Sequence, residues 1–447
     1  MTTVAEVVIV CLPEAGHLLP TFRLARELRD RGHRVKYLVP PDFVGRVQQQ
    51  GFETGSWFDE LHLIGYREAD EVKGVLGRRQ SITVRHQAMI NDLLHDQGPA
   101  ADLLAHPPSL LIVDVAMPHL AIWAAKRGLP LAVLSTSLPQ TRDEVVPPVR
   151  SGRVAATSRF ARQRIALDWW KFLAKRRAFA RVADVLGCAP PYELVRRMAA
   201  DIGLGADEVA SETAFLPQVL NVPELVLCPE AFDFPRPVDP NRHYVESADS
   251  HRWEGAPSIE LPADKQVLYC SLGTQRYRTD VAPRFLRTVI ETMRNSPNRH
   301  LVVAVGDYLN PEDLVDLPSN VQVARRAPQL EILARADLMI THGGLGSVKE
   351  SIMNGVPMLV VPLAVDQPGN GARVEYYGLG RVADIDDTSV DHLRSQIDEV
   401  VSQPTYRRAT HTMREQFLRV EMANRGADLV ERLALSGAAA HRMAAAS

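Results

Sequence analysis

One stretch of the sequence combines a histidine, glycines and a serine in the order that an anion-binding turn requires. The short apolar run Ala336–Ile340 fits a buried strand, and apolar residues at helical spacing begin at Val348. Between them, glycines leave the backbone open, and the first N–H groups of a helix lack intrahelical partners. The helix dipole adds partial positive charge there. The expected diphosphate cradle comprises Gly343, Gly344, Gly346 and Ser347, with His342 as a further donor.

A carboxylate and an amide stand side by side beyond the next apolar run. Met358–Val361 fits a second strand, and Asp366 and Gln367 follow it in a loop. Ligands of α/β sheets bind beyond the carboxyl ends of the strands. A carboxylate beside an amide suits the hydroxyl groups of a sugar, so the two stretches together predict a site for a sugar diphosphate.

A histidine near the N-terminus could act as a general base. Val7–Leu12 fits a central parallel strand, a turn through His17 follows, and a helix is expected to begin at Pro20 or Thr21. A nearby helix N-terminus favours neutral imidazole, which is the form that accepts a proton. The alternative is a histidine whose ring is satisfied by backbone groups of the turn. The turn lacks G-x-G-x-x-G, which weighs against a dehydrogenase.

A carboxylate ends another apolar run. Leu110–Val113 fits a buried strand, and Asp114 closes it. The end of such a strand is where an acid that orients a base belongs. The alternative is a helix cap, since Asp is a good N-cap residue.

Residues 325–373 resemble the nucleotide-sugar signature of family 1 glycosyltransferases, the UDP-glycosyltransferase type. That signature contains Pro-Gln, His-x-Gly-x-x-Ser-x-x-Glu, Gly-x-Pro and Asp-Gln. The matching residues are Pro328, Gln329, His342, Gly344, Ser347, Glu350, Gly355, Pro357, Asp366, Gln367 and Asn370. One departure is Arg326, which stands where plant members carry the Trp that stacks on uracil. Arginine can also stack on a base, but this departure leaves the base selectivity open.

The N-terminal segment carries a second resemblance to the same family. The matching residues are Gly16, His17 and Pro20, then Leu24, Ala25 and Leu28, then Arg31, Gly32, His33 and Val35. The resemblance implies that His17 is the catalytic base and that Asp114, at the end of its strand, is the partner acid. Such an acid holds the histidine tautomer and stabilises the imidazolium that forms. By the same alignment His33 is structural.

The resemblance implies an α/β protein of the GT-B fold, in which two Rossmann-like, doubly wound domains face each other across a cleft. Residues 1–245 are expected to bind the acceptor, and residues 246–404 the nucleotide-sugar donor. A C-terminal helix at about 405–433 is expected to pack back on the first domain, and the tail from Ala434 onward to fray. Phe232–Pro240, together with Ser247–Pro257, is interpreted as the connection between the domains.

The resemblance also implies the reaction, an inverting and metal-independent transfer of a sugar, expected to be glucose, from a UDP-sugar. The acceptor is expected to be a hydroxyl of a lipophilic small molecule, such as a polyketide or another natural-product aglycone. Glu350 would hold the ribose, and Gln329 the ribose or the base. The remaining donor-site residues are Gly273 and Thr274, which face the diphosphate, and Arg326 and Ala327 beside the base. No metal or cofactor is expected, since the nucleotide-sugar is a co-substrate.

Three other functions remain open from the sequence. A dTDP-deoxysugar could replace the UDP-sugar in an antibiotic glycosyltransferase. A sugar-nucleotide epimerase of the same fold is disfavoured by the turn through His17, and a non-catalytic auxiliary protein by the presence of both His17 and Asp114. The acceptor, its reacting hydroxyl, the exact sugar and the choice between monomer and homodimer are not encoded in any readable motif.

Composition narrows the class of protein. The 447 residues are enough for two or three domains, and a net charge of −3 disfavours nucleic acid as a partner. Cys11, Cys188, Cys228 and Cys270 lie far apart, which disfavours zinc sites and disulfides. The absence of a long apolar run and of a basic leader predicts a cytoplasmic protein. Asp384–Asp387 is interpreted as a solvated turn rather than a metal site.

A basic segment at residues 158–186 is expected to be helical, with arginines and lysines around Trp169 and Trp170. One interpretation is a solvated helix that packs through its aromatic residues. The other is a weak peripheral contact with an anionic membrane, which could present a lipid-like acceptor.

Overall fold

The computed structural model describes residues 4–55, 74–155, 160–246, 259–275, 277–387 and 389–446. The strands are β1 Glu6–Val10, β2 Arg34–Leu38, β3 Glu53–Gly55, β4 Leu110–Asp114, β5 Leu131–Ser135, β6 Val209–Ala210, β7 Gln218–Val219, β8 Glu224–Val226, β9 Arg242–Tyr244, β10 Gln266–Ser271, β11 Arg299–Ala304, β12 Val321–Ala324, β13 Leu338–Thr341, β14 Met358–Val360 and β15 Gly380–Val382. The helices are α1 Ala15–Leu18, α2 Phe22–Asp30, α3 Pro41–Gln49, α4 Val75–Leu94, α5 Pro99–Ala105, α6 Pro118–Lys126, α7 Ala161–Val185, α8 Pro191–Asp201, α9 Ala282–Glu291, α10 Gln329–Leu333, α11 Leu345–Met353, α12 Gln367–Tyr376, α13 Val390–Ser402, α14 Pro404–Ala423 and α15 Arg425–Ala446.

Two parallel sheets organise the described part of the chain. The first has the order β3-β2-β1-β4-β5-β8-β9, and the second has the order β12-β11-β10-β13-β14-β15. In each sheet the strand order reverses beside the first strand, between β1 and β4 and between β10 and β13. Ligands of doubly wound sheets bind at such reversal points, outside the carboxyl ends of the strands. The expected pair of doubly wound α/β domains is therefore confirmed.

The first βαβ unit shows how local sequence sets this arrangement. The central strand β1 is an apolar run that pairs with β2 on one side and β4 on the other. Helix α2 buries Phe22, Leu24 and Leu28 against the sheet and ends before Gly32. Gly32 has φ +90°, a conformation that glycine adopts without the clash a side chain would cause.

The turn after β1 differs from the sequence-based expectation. The helical backbone begins at Ala15 rather than at Pro20 or Thr21, and a 3₁₀ turn at Leu19–Thr21 joins α1 to α2. His17 therefore lies inside the one-turn helix α1. Pro20 fits this path because the first positions of a helical turn need no N–H donor.

The first sheet extends one strand beyond β8. Strand β9 pairs in parallel with β8 and follows Phe232–Pro240 in the chain. That proline-rich segment thus lies within the first domain and is not the interdomain connection. The other expected part of the connection, 247–257, lies outside the described residues.

The C-terminal region forms two helices, of which only the second packs on the first domain. Helix α14 packs on α11 of the second domain, and Asn424, with φ +45°, ends it. Helix α15 crosses to the first domain, where Ala427, Val430 and Ala434 join the core beneath β1. It runs to Ala446, so the tail expected to fray is helical.

The remaining expectations concern single segments. The sequence also predicts a helix over Val84–Leu104. The structure has two helices there, α4 ending at Leu94 and α5 beginning at Pro99. All four cysteines are buried free thiols. Among the described residues, no helix combines the length and the apolar character needed to cross a membrane.

Candidate active site

A histidine and a buried carboxylate meet at the carboxyl edge of the first sheet. His17 Nδ1 donates to Asp114 Oδ2 at 2.6 Å, although the two residues are 97 positions apart. Asp114 is fully buried, and it also accepts from the backbone N–H groups of Leu12 and Ala116. These bonds fix the carboxylate and therefore the orientation of the ring. Because Nδ1 is engaged, Nε2 is the ring nitrogen left for a reacting group.

The charge state of His17 differs from the expected neutral imidazole. Burial alone would lower its pKa, but the charge of Asp114 and its hydrogen bond, together with Glu14 and Asp366, raise it to about 9. The nearby anions therefore raise the pKa of His17 by more than the helix N-terminus lowers it. Helix α1 has only one turn, so its dipole is weak. Burial raises the pKa of Glu14 from its ordinary value, while the neighbouring His17 opposes that shift.

Sequence analysis missed two residues beside this pair. The Thr136 hydroxyl lies 2.9 Å from His17 Nδ1, and Glu14 adds the negative charge described above. Thr136 directly follows β5, the neighbour of β4 in the sheet. A polar residue just beyond a buried strand was the signal that identified Asp114, and it also applies to Thr136. Glu14 carries no comparable signal, because an acid in a turn is usually solvated.

In the second domain, the His342 ring lies between two glycines. A Cβ at Gly273 would be 2.6 Å from His342 Cε1, and a Cβ at Gly344 would clash with Nε2. Gly273 and Gly344 thus leave the space that the imidazole fills. His342 follows β13, and Gly344 is the N-cap of α11, so the ring and the helix N-terminus adjoin. The structure therefore brings the predicted cradle residues together at a helix N-terminus, and the binding of an anion there stays a prediction.

A second group of predicted residues joins α10 to α11. The Gln329 amide donates to Glu350 and lies 3.4 Å from Ser347 Oγ. Gln329 therefore contacts both Ser347, predicted to bind the diphosphate, and Glu350, predicted to bind the nucleoside. In this state Gln329 and Glu350 bind each other, so a ribose hydroxyl would have to share or replace that bond.

A third group surrounds the N-terminus of α12. Asp366 is the N-cap and accepts from Asn370 Nδ2 at 3.1 Å, and the same amide donates to the Gly343 carbonyl at 2.9 Å. Gln367 Oε1 accepts from two backbone N–H groups of the preceding loop, which leaves only its NH₂ group for a ligand. Val365 has φ +57°, a strained conformation for a β-branched residue, directly before Asp366.

The other predicted donor-site residues lie along the same edge. Gly343, with φ +82°, and Gly346 border the N-terminus of α11. Thr274 and Arg326 are exposed beyond β10 and β12, and Ala327 is half-buried beside Arg326. All predicted donor-site residues thus follow strands of the second sheet, at their carboxyl ends. By contrast, Asp386 pairs with Arg278 and Asp387 with His392, as expected of a solvated turn.

A buried ion cluster fixes α12 against the first domain. Asp233 Oδ1 lies 2.6 Å from Arg373 Nη2, and both side chains are 1% exposed. Arg236 and the Tyr244 hydroxyl bind the other Asp233 oxygen at 2.8 and 2.6 Å. The cations hold the pKa of Asp233 near 2 against the effect of burial, which raises it. Sequence analysis missed this cluster, because Asp233 and Arg373 are 140 positions apart.

The two edges come together at α12. Val149 and Gly152 of the first domain contact Gly369 and Pro368 in the first turn of α12. Asp366 is close enough to His17 to raise its pKa. A proton acceptor held by a carboxylate therefore faces the group predicted to bind a sugar. This arrangement could deprotonate a hydroxyl beside a sugar held by its diphosphate.

Known proteins that resemble this chain in sequence or in structure include several glycosyltransferases. Residues 297–427 match the family described as "Erythromycin biosynthesis protein CIII-like, C-terminal domain". The oleandomycin glycosyltransferase of Streptomyces antibioticus is 26% identical over 96% of this chain and 91% of its own length. The crystal structure of the glycosyltransferase of kitacinnamycin has a TM-score of 0.69 at 25% identity, covering 97% of this chain and 100% of that one. The glycosyltransferase VinC in complex with dTDP has a TM-score of 0.60 at 17% identity, covering 96% and 100%.

Proposed function

We propose a reaction for this chain, which is a GT-B glycosyltransferase with an EryCIII-like C-terminal domain at residues 297–427. It transfers a sugar from a nucleoside-diphosphate sugar to a hydroxyl group of a natural-product acceptor. The observation that carries the proposal is the 2.6 Å contact of His17 with buried Asp114, facing Asp366 of the donor domain.

In the proposed step, His17 Nε2 removes the proton of the acceptor hydroxyl as its oxygen attacks the anomeric carbon. A C–O bond to the acceptor forms, the C–O bond to the diphosphate breaks, and the nucleoside diphosphate leaves with the electron pair. Attack opposite the leaving group inverts the anomeric configuration. Asp114 stabilises the imidazolium that results, because its carboxylate accepts from Nδ1.

The leaving diphosphate is stabilised by the α11 N-terminus and by His342. Helix α11 begins directly after Gly344, so its first backbone N–H groups lack intrahelical partners, and the His342 ring lies beside Gly344. Fixed donors of this kind need no reorganisation as negative charge develops on the leaving group. No step requires a metal ion.

We propose UDP-glucose as the donor. Glu350 and Gln329 supply a carboxylate and an amide for the nucleoside, and Asp366 and the Gln367 NH₂ group suit the sugar hydroxyls. A dTDP-sugar is the second candidate, because Arg326 is exposed where plant members carry the stacking Trp. The complex of VinC with dTDP adds support for that candidate.

The proposed acceptor is a lipophilic natural product such as a polyketide aglycone. The names of the oleandomycin glycosyltransferase and of the glycosyltransferase of kitacinnamycin support this class. The cytoplasmic location expected from the sequence stays a prediction.

Calorimetric titration tests the donor site. UDP, dTDP and their glucose conjugates are titrated into wild type and His342→Ala, followed by transfer assays with a panel of polyketide aglycones. We expect UDP and UDP-glucose to bind wild type, and to bind the variant about tenfold or more weakly. We expect UDP-glucose to yield a glycoside with inverted configuration. Binding of dTDP species alone would select the second donor. Failure of every nucleotide to bind would refute the proposal in favour of an auxiliary protein, and epimerised donor without glycoside would indicate an epimerase.

A further inference from the structure

Helix α7 has two apolar faces, and only one of them packs against the protein. Ile165, Trp169 and Leu173 are buried with Val149 and Ala214. The opposite face carries an exposed apolar stripe that runs from the residue before the helix to its last residue. The exposed residues of the stripe are Phe160, Leu167, Ala178 and Val185, with Trp170 and Val182 beside it and the half-buried Ala174 on the same side.

The stripe is regular and long. Phe160, Leu167 and Ala174 are spaced by seven residues, as are Ala178 and Val185, so these residues share one side of the helix. A helix of this length extends about 37 Å. Trp170 is 64% exposed and Val185 is 88% exposed, which is unusual for large apolar residues on one helix.

Cations border the stripe. Helix α7 contains seven basic and two acidic residues, a net charge of +5 in a chain whose net charge is −3. Both acids are already paired, Asp168 with Arg153 and Asp184 with Arg197. The cations nearest the stripe are Arg164, Lys171, Lys175 and Arg181, and all four are exposed.

Helix α4 lengthens the surface at one end. The Gln80 and Thr83 side chains donate to the carbonyls of Leu186 and Ala189, just beyond α7. Arg79 stacks on Phe179 at 4.8 Å. Leu76, which lies one turn before Gln80, is exposed and adds an apolar group beside the C-terminal end of α7.

We propose that this surface, the outward face of α7 with the N-terminal turns of α4, docks on an anionic lipid bilayer. Apolar side chains would enter the headgroup layer while the lysines and arginines reach outward to phosphates. Tryptophan favours the boundary between apolar and polar layers, which is the position of Trp170 beside the stripe. A second copy of the chain would bring like charges together, so self-association through this face is opposed. The inference does not depend on the proposed reaction.

Vesicle sedimentation tests the proposal on the full chain. One set of vesicles is neutral phosphatidylcholine, and the other contains about 30% phosphatidylglycerol. We expect sedimentation with the anionic vesicles only, and its loss when NaCl is raised to about 0.5 M. Equal sedimentation with both vesicle types, or none at low salt, would overturn the proposal.

Two paired substitutions locate the surface, and a third pair is the control. Lys171→Glu/Lys175→Glu should lower the vesicle partition coefficient about tenfold or more. Leu167→Gln/Val185→Gln should lower it while leaving the net charge unchanged. Arg287→Glu/Arg408→Glu reverses two exposed cations on α9 and α14 of the donor domain and should behave as wild type. An equal loss in that control would overturn the proposal.

Further measurements distinguish binding to a bilayer from loss of the fold and from binding to an acidic protein. Thermal unfolding of each variant shows whether the fold is retained, and fluorescence of wild type against Trp170→Phe reports insertion as a blue shift that the variant lacks. Binding to poly-glutamate without binding to vesicles would overturn the lipid assignment and indicate an acidic protein partner.

Discussion

At the scale of residues, the charge on His17 controls the proposed chemistry. Its pKa near 9 means that the imidazole is mainly protonated at neutral pH, and a protonated ring cannot accept a proton. We therefore expect kcat/KM to rise with pH, about tenfold per unit, and to level off above about 9. A pH profile measured with saturating acceptor and limiting donor checks this, and a rate independent of pH from 6.5 to 9 would contradict it.

Replacing the partner acid should change both the rate and its pH dependence. Asp114→Asn removes the charge that raises the pKa of His17, so the rise in kcat/KM should move to lower pH. An amide NH₂ group facing Nδ1 would also favour the tautomer with its proton on Nε2, which cannot act as the base, so the plateau rate should fall about 10²- to 10⁴-fold. Thr136→Val is the matched control, since it removes a neutral contact to the same nitrogen. A lower plateau without a shift in the profile would show that Asp114 acts only on geometry.

The same pKa predicts a stability effect. A histidine whose pKa rises from 6.5 unfolded to about 9 folded stabilises the protein fully below pH 6.5, and this contribution is lost as pH rises through 9. The difference in unfolding free energy between wild type and His17→Gln should therefore shrink from pH 6 to pH 9.5. Urea denaturation at several pH values measures it, and a constant difference would rule out the contribution.

At the scale of elements, the glycines that adjoin His342 set its position. Gly344→Ala would place a Cβ against the imidazole, and overpacking of this kind costs about 1–3 kcal/mol. We expect nucleotide affinity to fall about tenfold or more as the ring is displaced. Gly45→Ala in α3 is the control, because no atom lies within 4 Å of the new Cβ. Calorimetric titration compares the two variants, and unchanged affinity in Gly344→Ala would contradict this account of the donor site.

Sequence patterns predicted elements well where one strand or helix determines the pattern. The apolar runs ending at Asp114 and before His342 identified two buried strands and their carboxyl ends, because a parallel strand is apolar on both faces. Short strands such as β3, β9 and β15, with three residues each, carry too few positions for a period to emerge. Which domain each of the two C-terminal helices contacts depends on tertiary packing, and periodicity does not report that.

At the scale of the whole molecule, the Asp233 cluster joins the domains. Asp233→Asn would leave Arg373 buried without its counter-ion, which costs about 3–5 kcal/mol. Donor affinity should fall as well, because Arg373 lies on the helix that begins beside Asp366. Glu431→Gln is the control, since it breaks a partly exposed ion pair worth at most about 1 kcal/mol. Urea denaturation that ranks the two variants equally would contradict a role for the cluster.

Contacts between domains explain most of what the sequence could not reveal. Asp233 and Arg373 lack a motif of their own and acquire their roles from each other, 140 positions apart in the chain. The charge on His17 was mispredicted for the same reason, because Asp366 of the other domain contributes to it. By contrast, the placement of Gly344 and Ser347 at the start of α11 depends on one local turn, and the sequence predicted that placement.

The measurement that tests the central claim most directly compares His17→Ala with wild type in donor binding and in transfer. UDP-glucose affinity is measured by calorimetry and transfer by glycoside formation under saturating substrates. If His17 is the base, the variant binds the donor within about twofold of wild type while kcat falls about 10²- to 10⁴-fold. Transfer within about tenfold of wild type, with donor binding retained, would contradict the claim that His17 removes the acceptor proton.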